Sequence, residues 1–373
     1  MPETLVLNGV SPFSKQRSVN LLVPSANPAQ AFAGVRTAIE FGSLVASGLA
    51  LPLQVGTTAA RGANRNGPLD PSFLAGGDSR VELFRLGDGE PMAASHGDIW
   101  IATHWTTAHA LDIAARLGRI DRRRVIYLVQ DYEPGFMPWS SAFALARATY
   151  HAGFTIVCNS LPLATYLETQ EGLGVVRDRV FAPHLPESRL RDVASTRVSD
   201  SRIGVLFYAR PTKPRNLFAI GSTALRIAID ELGNEARTCN FFTAGERHDQ
   251  IATPSGVNVQ QLGQTGWDGY FELLQRVRVG LSLMYSAHPS HPPLEVAVSG
   301  GSAVTNRFSN SRDALHPRIE AVEADPDELA QALVRAIRFE RERPPGEYAP
   351  LDDGALGGSL ETAAASAGRE ADV

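Results

Sequence analysis

The chain has 373 residues, 43% of them hydrophobic and 20% charged, with a net charge of −5. Such a composition builds a globular protein with room for two cores, and it lacks the cationic excess with which nucleic-acid binders neutralise phosphates. Two cysteines, Cys158 and Cys239, are too few for a disulfide-stapled scaffold; reduced, structural roles in a cytoplasmic protein are expected.

Residues 1–17 lack the charged-then-apolar layout of a secretory signal. VNLLVP (19–24) reads as a short buried strand, followed by a Gly-containing turn and a helix in which Phe32, Val35 and Ile39 recur at helical spacing. No full G-x-G-x-x-G accompanies it. The weakly polar stretch 41–55 is broken by Gly42, Gly48 and Pro52 and is too short to span a bilayer. Residues 51–55 and 81–86 are further strands, and the Gly/Asn/Pro-rich stretch 61–77 between them is expected to be a surface loop or lid. DIWIAT (98–103) is a strand with His104 just past its carboxyl end and a helix beyond. RVIYLV (124–129) is a strand running into QDYEPGFMPWSSAF. FTIVC (154–158) is another, and Asn159-Ser160 caps the helix after it. Regular strand–helix alternation predicts a parallel sheet covered on both faces.

A second series opens at RIGVLFY (202–208), with the basic loop ARPTKPRN, a helix over 217–232, strands at 240–243 and 256–262, and a helix over 269–276. VRVGLSLMY (277–285), SAHPSHPPLEVAVSGG and SAVTN then read as strand, loop, a helix opening at Pro292-Pro293, and strand. In such a unit the helix's free N–H groups and positive dipole end suit a phosphate. DPDE (325–328) carries a capping Asp, a Pro at the first helical position and an acid three residues after the cap, starting a helix to Phe339. The fold class expected is α/β, with two Rossmann-like doubly wound domains: 1–190 for an acceptor and 200–340 for a nucleotide sugar, joined through a polar, turn-rich stretch at 184–201. Strand carboxyl ends of both should line a cleft between them. Residues 341–373 offer little to bury and are expected to be a disordered tail.

Arg210 and Arg215, on a proline-stiffened loop at a strand's carboxyl end, can clamp a diphosphate, because planar guanidiniums match phosphate oxygens and stay charged. Glu295, placed in the first turn of the helix after SAHPSH, can accept two hydrogen bonds from a vicinal diol such as a ribose. His104, Asp131, Tyr132 and Glu133 cluster at strand carboxyl ends of the first domain; an imidazole or carboxylate there can act as general base on an acceptor hydroxyl or orient the sugar. The plainer alternative is that Asp131 caps a turn and His104 the next helix. His184 is expected to be structural. His288 and His291 lack a third ligand nearby, so loop hydrogen bonding and no metal are expected. Trp100, Trp105, Trp139 and Trp267 are expected in core or interface packing.

Together these features resemble the two-domain GT-B glycosyltransferases, within them the retaining family of bacterial polysaccharide and glycogen synthases, over residues 19–339. In that family an Arg is followed five residues later by Lys or Arg, both binding the donor diphosphate; Arg210 and Arg215 match. Its E-G-F-G-L-P-x-x-E loop aligns so that Glu295 matches the second, ribose-holding Glu, while the first falls on Ala287. VQDYEPGFMPWSSAFALARATY, YARPTKPRNLF and SAHPSHPPLE look like the WsaF-type rhamnosyltransferases. That resemblance implies transfer of L-rhamnose from dTDP-rhamnose to a glycan or lipid-linked acceptor without a metal cofactor, and peripheral contact with the membrane's inner face. It also implies a phosphate contact in the loop LGQTG, where Gln264 replaces the usual Lys. A sugar-nucleotide epimerase of the same architecture and a catalytically silent sugar-nucleotide or glycan-binding module fit the same residues.

Overall fold

The computed structural model describes residues 17–24, 33–57, 82–85, 94–197, 202–253, 255–309, 311–312 and 315–373. The loop or lid expected at 61–77 lies outside them. The chain divides into two compact units, Met1–Ala182 with Leu356–Val373, and Pro183–Ala355.

In the first unit seven strands, β1 (Val19–Val23), β2 (Leu53–Thr57), β3 (Glu82–Arg85), β4 (Ile99–Ala102), β5 (Val125–Val129), β6 (Thr155–Asn159) and β7 (Val180–Phe181), form one sheet in the order β3-β2-β1-β4-β5-β6-β7. Every pairing is parallel. β1, β4 and β5 are buried at every residue, which is why they read as unbroken apolar runs rather than as alternation. Between strands run α1 (Ala33–Gly48), α2 (Trp105–Arg116), α3 (Ser141–Tyr150) and α4 (Leu161–Glu171), the last stopped by Gly172 in the left-handed region at φ 67°. Cys158 lies on β6, where burial pushes its thiol pKa up; Cys239 is buried in the second unit.

The second unit repeats the plan. It opens with α5 (Glu187–Thr196), and β8 (Ile203–Ala209), β9 (Cys239–Gly245), β10 (Val259–Gly263), β11 (Val279–Leu281), β12 (Ser302–Asn306) and β13 (Ile319–Val322) form a sheet in the order β10-β9-β8-β11-β12-β13, again parallel throughout. α6 (Phe218–Leu232), α7 (Gly266–Leu274), α8 (His291–Val298) and α9 (Pro326–Arg341) connect or cover the strands. Asp325 caps α9 by accepting from the N–H groups of Asp327 and Glu328. In each sheet the winding reverses beside the first strand, at β1/β4 and at β8/β11. Loops leaving the carboxyl ends of those neighbours diverge, and that divergence makes a crevice for a ligand.

Two expectations need correction. The join at 184–201 is not merely turns: Leu190 and Val193 of α5 are buried in a cluster with Phe271 and Leu274 of α7. The segment expected as a disordered tail carries α10 (Leu360–Ala371), whose Ala363, Ala364, Ala367 and Ala371 are buried in the first unit's core with Val45 and Phe41. Four methyl groups on one helical stripe bury enough surface when the facing helix comes close; alanine reads as nothing to bury only if each is counted singly.

Candidate functional site

The second unit's switch point brings the loops after β8 and β11 together. They are stitched by backbone and side chain: the Tyr285 N–H donates to the Arg215 carbonyl at 2.6 Å, and Asn216 Nδ2 to the Leu283 carbonyl at 3.1 Å. β11 is only three residues long, so the apolar run 277–285 is mostly loop rather than strand. Asn306 at the end of β12 holds its start, accepting from the Met284 N–H at 2.7 Å and donating to the Met284 carbonyl at 3.1 Å. Arg312, only 1% exposed, donates to the carbonyls of Ser286 and His288, both at 2.9 Å. Each loop ends in a non-glycine residue with positive φ, Leu217 at 50° before α6 and Ser290 at 69° before α8. Such backbone costs about 1–3 kcal/mol per residue and persists where the surroundings over-determine it.

Glu295 is the fifth residue of α8, one residue past the first turn in which it was expected, because the helix opens at His291. Its carboxyl is buried, burial pushes its pKa up to about 7, and a 2.7 Å hydrogen bond from the Tyr270 hydroxyl opposes that rise. Tyr208, at the end of β8, lies with its ring perpendicular to that of Tyr270, centroids 6.4 Å apart. Burial raises the Tyr208 phenol, with Arg210 acting against it and Glu295 and Glu246 adding to it. The charges of Arg210 and Glu295 thus both act on one buried phenol. Arg210 Nε lies 3.6 Å from a Glu246 oxygen, and Glu246 accepts from the Thr212 N–H at 2.9 Å. The His288 imidazole is held neutral first by burial and then by the charges of His291, Arg312 and Arg215. Gln264 is exposed just after β10, two strands from β8.

The amino end of α8 is a poorer amide donor than the sequence reading supposed. Pro292 and Pro293 have no N–H, and the Ser290 N–H is used by His288 Nδ1 at 3.1 Å. What remains for an anion is the N–H of His291, the dipole and the cations of the β8 loop. His291, half-buried and with its pKa lowered to about 4 by desolvation, stacks on His288 at 5.7 Å. Ala287 is fully buried. Among the described residues no group of three acidic, histidine or cysteine side chains is arranged to hold a metal ion.

In the first unit His104 caps α2: its Nδ1 accepts from the Thr106 N–H at 3.4 Å, and burial lowers its pKa to about 4. Glu133 is buried and supports the same helix end, accepting from the Trp105 N–H at 2.5 Å and from the Tyr127 hydroxyl at 3.0 Å. Asp131, just beyond β5, accepts from its neighbour's Tyr132 N–H at 2.8 Å and is half-buried. The Tyr132 hydroxyl donates to Glu171 at 2.7 Å, a buried carboxylate also held by Arg147 and His151. Of the four residues clustered by the sequence reading, Glu133 works inside the fold, His104 at a helix end, and Asp131 at the strand end.

The WsaF N-terminal domain matches residues 83–159 and the WsaF C-terminal domain residues 204–334, in that order, together more than half of the chain. The chain belongs to the WsaF family. It is 32% identical over 215 residues to the O-antigen biosynthesis protein RfbC of Myxococcus xanthus, and the match spans 58% of this WsaF-family chain but only 16% of that relative's length. Among solved structures, HepE of Anabaena in complex with UDP aligns over 95% of this chain and 94% of its own, with TM-score 0.58 and 14% identity. WaaG, a glycosyltransferase involved in lipopolysaccharide biosynthesis, aligns over 94% of each chain with TM-score 0.54 and 13% identity. Sucrose-phosphate synthase of Thermosynechococcus elongatus covers 95% and 94% with TM-score 0.57 and 12% identity. The fold is GT-B, two Rossmann-like domains with parallel sheets.

Sequence reasoning missed Tyr270, Glu246 and Arg312. Glu246 directly follows β9 and was legible by the same strand-end rule that singled out Arg210. Tyr270 sits mid-helix and Arg312 in a loop, and nothing local marks either one.

Proposed function

We propose that the chain is a glycosyltransferase of surface polysaccharide synthesis, moving a hexosyl group, rhamnosyl in the reading its motifs favour, from a nucleotide-diphosphate sugar to a glycan or lipid-linked acceptor. The observation that carries this is the stitching of the Arg210–Arg215 loop to the loop that leads into α8, whose buried Glu295 is held by Tyr270, at the switch point of a WsaF C-terminal domain. Arg210 and Arg215 bind the diphosphate and stabilise the charge that develops on the leaving oxygen. Glu295, oriented by Tyr270, holds the ribose diol, and Gln264 contacts the donor from the β10 loop. Asp131 receives or orients the acceptor hydroxyl at the first unit's strand ends. His104, with a pKa near 4, stays neutral at pH 7 and serves as a hydrogen-bonding neighbour rather than as the base. HepE binding UDP and RfbC acting in O-antigen biosynthesis support the donor class and the pathway.

Guanidiniums supply the positive charge, so the reading needs no metal. The site of action is cytoplasmic, with contact at the membrane's inner face where a lipid-linked acceptor is used. No described helix is long and apolar enough to cross a membrane.

The test is nucleoside diphosphate release from dTDP-rhamnose and from UDP- and GDP-sugars, with and without oligosaccharide or lipid-linked acceptors. Acceptor-dependent release that persists in EDTA is expected. Isomerisation of the donor alone would establish an epimerase instead, binding without turnover a silent module, and loss in EDTA reversed by manganese a metal-dependent enzyme.

A further inference from the structure

Core or interface packing was expected of all four tryptophans, yet Trp139 is 91% exposed while Trp100 is fully buried. An indole left in water forgoes one of the largest burial gains available to a side chain. Trp139 is nevertheless held in place. Its ring lies nearly parallel to Phe143 in the first turn of α3, with centroids 5.2 Å apart and planes 13° apart. Ser140, next to it, caps α3 by accepting from the Phe143 N–H at 3.3 Å. On the other side the Met137 N–H donates to the Pro134 carbonyl at 3.2 Å, and Pro138 stiffens the approach. The result is a preorganised aromatic face on the β5–α3 connection, eight residues beyond Asp131.

Charge narrows what fits there. From 130 to 146 the chain carries Asp131 and Glu133 and no Lys, Arg or His, and the next cation, Arg147, is paired with the buried Glu171 at 2.8 Å, so this segment offers little to phosphate groups or anionic lipid. A neutral sugar suits it: the C–H face of a pyranose is slightly positive and packs on the negative face of an indole, while its hydroxyls stay wet. Ser140 and Ser141 are exposed beside it.

We propose that Trp139, backed by Phe143, is a stacking platform for a neutral sugar ring of the acceptor glycan. This rests on the glycosyl-transfer reading and adds where the acceptor is held. Exposure makes the residue replaceable without loss of fold.

The test uses the full chain and W139A, W139F and W267F, the last because Trp267 is also exposed. With a rhamnan tetrasaccharide as acceptor, W139A should raise KM about tenfold, with kcat changed less than about twofold, and W139F should restore most of the affinity. Separately, the tetrasaccharide should protect tryptophan fluorescence from acrylamide in the wild type and in W267F but not in W139F. An unaltered KM in W139A alongside normal donor turnover, or no protection in the wild type, overturns the platform. Binding to phosphatidylglycerol vesicles that W139A abolishes, with KM unaltered, assigns Trp139 to a lipid surface instead. Failure of all donor binding and turnover defeats the glycosyl-transfer reading, and the fluorescence measurement still decides the platform alone.

Discussion

Glu295 sits where stability and binding pull in opposite directions. Its carboxyl is buried, and its pKa is raised from the usual 4.5 to about 7. Between those values the native chain holds a proton that the unfolded chain has lost, so this contribution to stability is complete at low pH and is lost as pH rises through about 7. At pH 8 the ionised group costs on the order of 3 kcal/mol. Glu295→Gln should therefore melt several degrees above the wild type at pH 8 and within a degree or so of it near pH 4.5, while binding nucleotide sugar about tenfold less tightly at pH 8. Scanning calorimetry at the two pH values checks the first part; a melting gap that does not change with pH contradicts it. Tyr270→Phe removes the hydrogen bond that restrains the Glu295 pKa. Donor affinity, which on the proposed reading needs the carboxylate, should then rise with pH through a midpoint above that of the wild type, measured by titration calorimetry across about pH 6–9.

Among the elements, α8 owes its position to a glycine. A Cβ on Gly280 of β11 would lie 2.9 Å from Val296 Cγ2, next to Glu295. Gly280→Ala should cost about 1–3 kcal/mol by overpacking and displace Glu295, lowering donor affinity as well as the denaturation midpoint in urea. α10 gives a second prediction: Ala367 is fully buried against the first unit, so Ala367→Glu should cost about 3 kcal/mol or more, whereas a disordered tail would tolerate it unchanged. These two elements also mark what the sequence could reveal. Strands such as β1, β5 and β8 and helices such as α9 announce themselves through unbroken apolar runs and caps. The alanine stripe of α10 does not, because its docking depends on a distant partner, α1. In the candidate site, the placing of Arg210 and Arg215 on a strand-end loop, and of Glu295 on the helix that follows another, was legible because strand, loop and helix are read directly from the chain. Tyr270's bond to Glu295 was not, because it joins residues 25 apart on two helices. The double proline that strips N–H groups from α8 was in plain view and was read only as a helix start.

At the scale of the molecule, the proposed reading has a chain of net charge −5 bind an anion of charge about −2 through a few local cations. Its attraction is therefore short-ranged and weakly screened where the guanidiniums are part-buried, such as Arg210 with 22% of its side chain exposed. Donor affinity should fall by less than about tenfold between 50 and 500 mM salt. The most direct measurement is calorimetric titration of the wild type and the Arg210→Ala/Arg215→Ala double variant with dTDP-rhamnose and with UDP- and GDP-sugars. Saturable binding of at least one donor to the wild type, weakened about a hundredfold or more in a double variant that still melts cooperatively, is the predicted result. Equal affinity in the two proteins, or no binding of any nucleotide sugar to the wild type, would contradict it.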